Sequence, residues 1–125
     1  MNAVTQVFAL IGALFHVSAF ALESLLFRRP RVQRLMLGGR AEVAPGVYLW
    51  AFNQGFYNLF VAAGAVGGVI AYHSGQLAAG RALTLYACAF MAAAGVVLVV
   101  SDRRLWRGAL GQAVPPLVAL VAFLL

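Results

Sequence analysis

Acidic side chains are scarce in this sequence: Glu23, Glu42 and Asp102 are the only three in 125 residues, and lysine is absent. With charged residues at 10% and hydrophobic residues at 64%, the chain is too apolar for a soluble domain of its length. A single cysteine, Cys88, rules out an intrachain disulfide and any paired-thiol redox motif. No glycine-rich phosphate loop or nucleophile elbow is present, so nucleotide chemistry and serine hydrolysis lose their usual signatures. The two histidines, His16 and His73, belong at opposite depths, and His16 and Glu23 lack a chelating spacing. Neither a zinc site nor a bis-histidine haem is therefore expected. No catalytic residue, metal or other cofactor is assigned.

The chain does hold four apolar stretches, each near the ~20 residues that cross a ~30 Å hydrocarbon core as helix. They are Ala3–Phe27, Gly46–Tyr72, Ala82–Val100 and Leu105–Leu125. The expected fold is an all-α integral membrane four-helix bundle, a single domain over residues 1–125. The formal charge of +6 would suggest nucleic acid in a soluble protein, but its distribution argues for a membrane instead. Five arginines (Arg28, Arg29, Arg31, Arg34, Arg40) fall in the first connection and three (Arg103, Arg104, Arg107) in the third, while Arg81 alone borders the second. The positive-inside rule then places the first and third connections in the cytoplasm and both termini on the non-cytoplasmic side. The N-terminal stretch does not read as a secretory leader, because it lacks a basic start and its apolar run is too long.

Arg28-Arg29-Pro30 should end the first helix. An amphipathic piece over Val32–Leu37 should turn Arg31 and Arg34 to headgroups and Leu35, Met36 and Leu37 to the acyl boundary. Gly64 and Gly68 form a small-xxx-small step in the second helix, and the alanines of the third also suggest close packing. Pro115-Pro116 should kink the fourth helix, and Trp106 sits where an interfacial aromatic belongs.

Candidate functional residues concentrate in the first two helices. Asn53, Gln54, Tyr57 and Asn58 fall at i, i+1, i+4 and i+5, one helical stripe, with Trp50 one turn earlier. An amide without a partner at bilayer depth costs at least about 2 kcal/mol, so these groups must be paired, hydrated or used. On the first helix His16 and Glu23 share a face but lie about 10 Å apart along the axis. Counting depth from the cytoplasmic ends sets Glu23 opposite Trp50, Asn53 and Gln54, and His16 opposite Tyr57 and Asn58. The result is one polar column between antiparallel neighbours. The plain structural alternatives are interhelical glue for the amides and, for Glu23, snorkelling toward Arg28 or Arg29.

The run from His16 to Glu23, the basic loop, and Asn53-Gln54-Gly55-Phe56-Tyr57-Asn58 followed by small residues to Gly68 resemble the small bacterial integral membrane proteins grouped as DUF1304, a domain of unknown function. The likeness spans nearly the whole chain. It implies four membrane helices, a place in the bacterial cytoplasmic membrane and no settled activity. The epimerase label that some members carry finds no nucleotide-binding signature here. A lone carboxylate on the first of four helices also looks like the small multidrug exporters, by analogy only.

Three functions compete. In the first, the column binds or carries a small polar or cationic solute, with Glu23 as the charge partner, Asn53, Gln54, Tyr57, Asn58 and His16 as further ligand groups, and Trp50 as a wall. The second is an accessory or assembly subunit that meets a partner membrane protein through the polar stripe. The third, an enzyme acting on a lipidic substrate with His16 and Glu23 as acid and base, is disfavoured by their separation. Expected partners are the lipid bilayer, a second copy or a partner membrane protein, and a small-molecule solute, with no nucleic acid.

Overall fold

The computed structural model describes residues 1–39 and 42–125; Arg40, counted above in the first connection, lies outside the described residues. Those residues are helical and form no strand: α1 (Ala3–Phe20), a π-helical turn (Ala21–Leu25), α2 (Pro30–Met36), α3 (Pro45–His73), α4 (Leu77–Ser101), a 3-10 turn (Arg103–Leu105) and α5 (Trp106–Leu124). Four helices are long and apolar enough to cross a membrane: Ala3–Leu25, Pro45–His73, Leu77–Ser101 and Arg103–Leu124. This is the architecture of a multi-pass membrane protein.

Local chemistry sets the boundaries. The Asn2 side chain caps α1 by accepting from Thr5 N at 2.8 Å and Thr5 Oγ1 at 3.0 Å. Pro30 and Pro45 open α2 and α3, where a missing N–H is not needed. Gly38 and Gly39, both at positive φ, stop α2. Gly75 at φ 88 turns α3 into α4 while Gln76 N reaches back to Ala71 O at 3.0 Å.

Two boundaries differ from the expectation. The first span turns π-helical at Ala21 and ends at Leu25 rather than Phe27. Next, α4 starts at Leu77, five residues before Ala82, because Arg81 does not interrupt the helix: its guanidinium extends over the Tyr72 ring, 5.8 Å from the centroid. The amphipathic piece is present as α2, with Val32 buried and Arg31, Arg34 and Leu35 exposed. At the other prolines, α5 runs on through Pro115 and Pro116. Pro116 is buried there, and a Cβ on Gly12 would lie 3.4 Å from its Cδ.

The four long helices pack in a ring, α1 on α3, α3 on α4, α4 on α5 and α5 back on α1, with little contact across it. Small side chains make this possible. One core cluster joins Ala13, Ala62, Ala65, Ala87 and Met91, and a second joins Ala9, Cys88 and Ala119. Cys88 is fully buried and serves as a small packing residue. Of the two glycines in the Gly64/Gly68 step, only Gly68 meets α4: a Cβ there would lie 2.7 Å from Thr84 N and 3.1 Å from Gly80 O, while one on Gly64 would meet nothing within 4 Å.

Candidate functional site

α1 and α3 are antiparallel neighbours, but they do not begin level. Ser24, near the end of the π-turn, donates its hydroxyl proton to Phe52 O at 2.7 Å, and Phe52 is already seven residues into α3. At 1.5 Å per residue, α3 extends about 10 Å past the end of α1 on the loop side. The depth count above set Phe27 against Gly46 and so misjudged the register by about one turn. Glu23 accordingly meets Asn58 rather than Asn53: Asn58 Nδ2 donates to Glu23 Oε2 at 2.8 Å and also lies 3.3 Å from Gln54 O. Beside this contact, the Phe20 and Phe56 rings pack edge to face at 5.1 Å.

Gly55 makes this approach possible. A Cβ there would collide with Ser24 Oγ and lie 3.1 Å from Phe20 O, so no larger residue fits without parting the helices. Ser24 and Gly55 were not assigned roles from the sequence. Gly55 lies within the Asn53–Asn58 string and Ser24 directly follows Glu23, but the signal that pairs them is the register, which only the folded chain reveals.

The step left where α1 ends short of α3 is partly filled from the loop. Phe27 packs on Tyr48, ring centroids 5.7 Å apart, Arg28 lies 4.6 Å over the Tyr48 ring, and Gln33 Nε2 donates to Tyr48 Oη at 3.2 Å. What remains open is a cavity of about 250 Å³. Glu23 and Gln54 supply its polar lining; Val47, Trp50 and Ala51 form the α3 wall. Phe27 with Met36 and Leu37 closes it from the loop side. Among the described residues no arginine lines it, and Glu23 makes no ion pair with Arg28, Arg29 or any other base. Its Oε1 accepts no hydrogen bond from the described residues.

The other candidates fall into two groups. On the outer side of α3, Tyr57 is 66% exposed, and Asn53 is exposed with its amide turned back onto Leu49 O at 2.9 Å; Trp50, 76% exposed, stands between this face and the cavity that it lines. His16, by contrast, is 1% exposed inside the bundle. Its Nδ1 donates to Gly12 O at 2.9 Å, leaving Nε2 buried without a partner among the described residues. It does not line the cavity. The single column expected from the sequence is thus three separate places: the Glu23 cavity, the outer face of α3 and the bundle interior. An acid–base pair of His16 and Glu23 is not assembled, and among the described residues no group of His, Cys, Asp and Glu could hold a metal ion.

The third connection docks on the first. A Cβ on Gly38 would lie 3.3 Å from Arg104 Cβ, and Asp102 accepts from Arg104 N at 3.0 Å and pairs with its Nε at 3.1 Å. Trp106 is half exposed beside this turn, with the Arg107 guanidinium 5.3 Å from its ring centroid.

No curated protein and no solved structure matches the chain. Residues 10–124 match one family, described as a protein of unknown function, and with nearly all of its length inside that match the chain belongs to DUF1304.

Proposed function

We propose that this protein binds a small organic cation in the cavity between α1 and α3, with Glu23 as the counter-charge. The observation that carries this reading is a carboxylate held by an amide at one oxygen, beside a 250 Å³ cavity lined by no basic side chain among the described residues. Gln54 Oε1 can accept from an ammonium, and the Trp50 ring offers a π face to a cation. A carboxylate near the edge of a membrane span is kept at a cost of several kcal/mol unless something compensates it, and a bound cation would do so. The arginine-bearing connections favour a cytoplasmic-membrane orientation with that end of the bundle, and hence the cavity, on the cytoplasmic side.

The test is equilibrium binding of a panel of ammonium compounds, with and without alkyl tails, to the protein in lipid nanodiscs, measured against empty nanodiscs. Binding that falls at least tenfold in Glu23→Gln is expected. A wild-type protein that retains none of the panel above the empty discs overturns the reading.

One observation favours a second role. The exposed amide of Asn53 and phenol of Tyr57 lie on the outer face of α3, where another helix would satisfy them. A partner membrane protein, or a second copy of this chain, would then be recognised there. Loss of co-purification in Asn53→Leu combined with Tyr57→Phe tests this role without altering the cavity lining.

A further inference from the structure

Resting on the cation reading of the Glu23 cavity, we infer that the occupant is a membrane-borne amphiphile, a single ammonium head on an alkyl chain, and that it arrives from the bilayer rather than from water. Three features of the cavity converge on this.

Depth is the first. Glu23 is two residues from the end of its span, so its carboxylate sits near the boundary between hydrocarbon and headgroups, where the charged head of an amphiphile also lies.

Access is the second. On the loop side Met36 of α2 and Leu37 form part of the wall, with Val32 buried on the same helix and Gly38 against Arg104. The exposed lining residues are Trp50 and Gln54, both on α3, and Leu49 on α3 and Leu25 on the π-helical turn are exposed as well. A molecule within the lipid meets the exposed indole of Trp50 and the exposed flank of α3 directly.

Size and lining form the third. Six of the eight lining residues (Phe27, Met36, Leu37, Val47, Trp50, Ala51) are apolar, so a fully hydrophilic guest would leave most of the wall unsatisfied. A volume of about 250 Å³ suits a small head group rather than a whole long-chain amphiphile. That is room for an ammonium and its first methylenes, with the rest of a longer chain left to run out along α3 into lipid. The head would donate N–H to Glu23 Oε1 and Gln54 Oε1 while Asn58 keeps hold of Oε2.

The experiment is equilibrium dialysis of radiolabelled dodecylammonium, ethylammonium and dodecanoate against phosphatidylcholine nanodiscs with and without the protein. Binding in excess of empty discs is expected to favour dodecylammonium over both others by at least tenfold, and to fall by at least tenfold in Glu23→Gln. Gln54→Leu changes an exposed side chain and so guards against a folding defect; it is expected to weaken binding by about threefold to tenfold. Equal retention of ethylammonium and dodecylammonium overturns the lipid route but leaves the cation reading standing. Equal retention of dodecanoate shows an apolar groove without charge selection, and retention of no ammonium at all removes the cation reading too.

Discussion

The Ser24 hydroxyl and the Cα of Gly55 face each other across the α1–α3 seam at a distance that admits no Cβ, and Ser24 uses that closeness to reach Phe52 O. Gly55→Ala should therefore part the helices at the level that also positions Glu23 and Asn58. The expected loss is about 1–3 kcal/mol, the range for overpacking a fitted contact, read as earlier unfolding in a denaturing-detergent titration. Ser24→Gly on that background should restore much of it, since it removes the atoms in collision. Strictly additive effects of the two changes would argue against the contact.

The two glycines of the small-xxx-small step should behave oppositely. Gly68→Ala drives a methyl into the α4 backbone at Thr84 and Gly80 and should lower stability by about 1–3 kcal/mol. Gly64→Ala meets open space and should stay within about 0.5 kcal/mol of wild type. Thermal unfolding of both in one detergent gives the comparison, and an equal effect would place both glycines at the seam.

Asn58 and Glu23 form an interhelical bond near the membrane edge. Asn58→Ala should lower stability by about 0.6–1.7 kcal/mol, as measured for such bonds in membrane bundles. Combined with Glu23→Ala, the second change should add little, because the partner is already gone. A double-mutant cycle in nanodiscs reads the coupling directly.

His16 keeps an imidazole nitrogen buried without a partner among the described residues. Replacing the ring by an apolar side chain of similar size removes that unsatisfied group together with a bond confined to its own helix. His16→Leu should be neutral or stabilising by about 1 kcal/mol, with ammonium binding unchanged. A loss of binding would bring His16 back into the site.

Cys88 is fully buried and should not react with a maleimide in the folded protein, which leaves a clean background for labelling. Leu35→Cys on α2 and Gln76→Cys on the α3–α4 turn are both exposed positions. In sealed vesicles of one orientation, a membrane-impermeant maleimide should label one of the two and not the other. Label at position 76 in right-side-out vesicles and at position 35 in inverted ones is the outcome that the arginine distribution predicts.

The hydrophobic runs made the four helices legible, since length and apolarity suffice to mark a span. Chemical punctuation was equally readable: Pro30, Pro45, Gly38 and Gly75 stop or start helices where proline and glycine should. Register was not. Depth counting treated the helix ends as level, and nothing in the residues of the first loop announces that α3 projects beyond α1. The π-turn adds a second difficulty, because a wider turn shifts the facing of Glu23 and Ser24 relative to a 3.6-residue count. Depth counting set Glu23 beside Trp50 and Gln54, and the three do line one cavity, while Asn58 was matched to His16 rather than Glu23 and His16 was drawn into a column whose cavity it does not line. The loop-side wall of the cavity, Phe27, Met36 and Leu37, was hidden because those residues read as ordinary membrane-facing side chains.

The ring of helices closes at its own ends: Asn2 Nδ2 donates to Ala122 O at 2.6 Å, so the first cap and the last turn are fastened together although 120 positions separate them. Such a circuit has no obligatory starting point. A few linking residues could join Leu125 to Met1, and the chain could be reopened at Ser74–Gln76 on the same side of the bundle, giving the order α4, α5, α1, α2, α3. Both arginine-bearing connections would stay intact in that permutant, so the rearranged chain would carry the same instruction for insertion as the original.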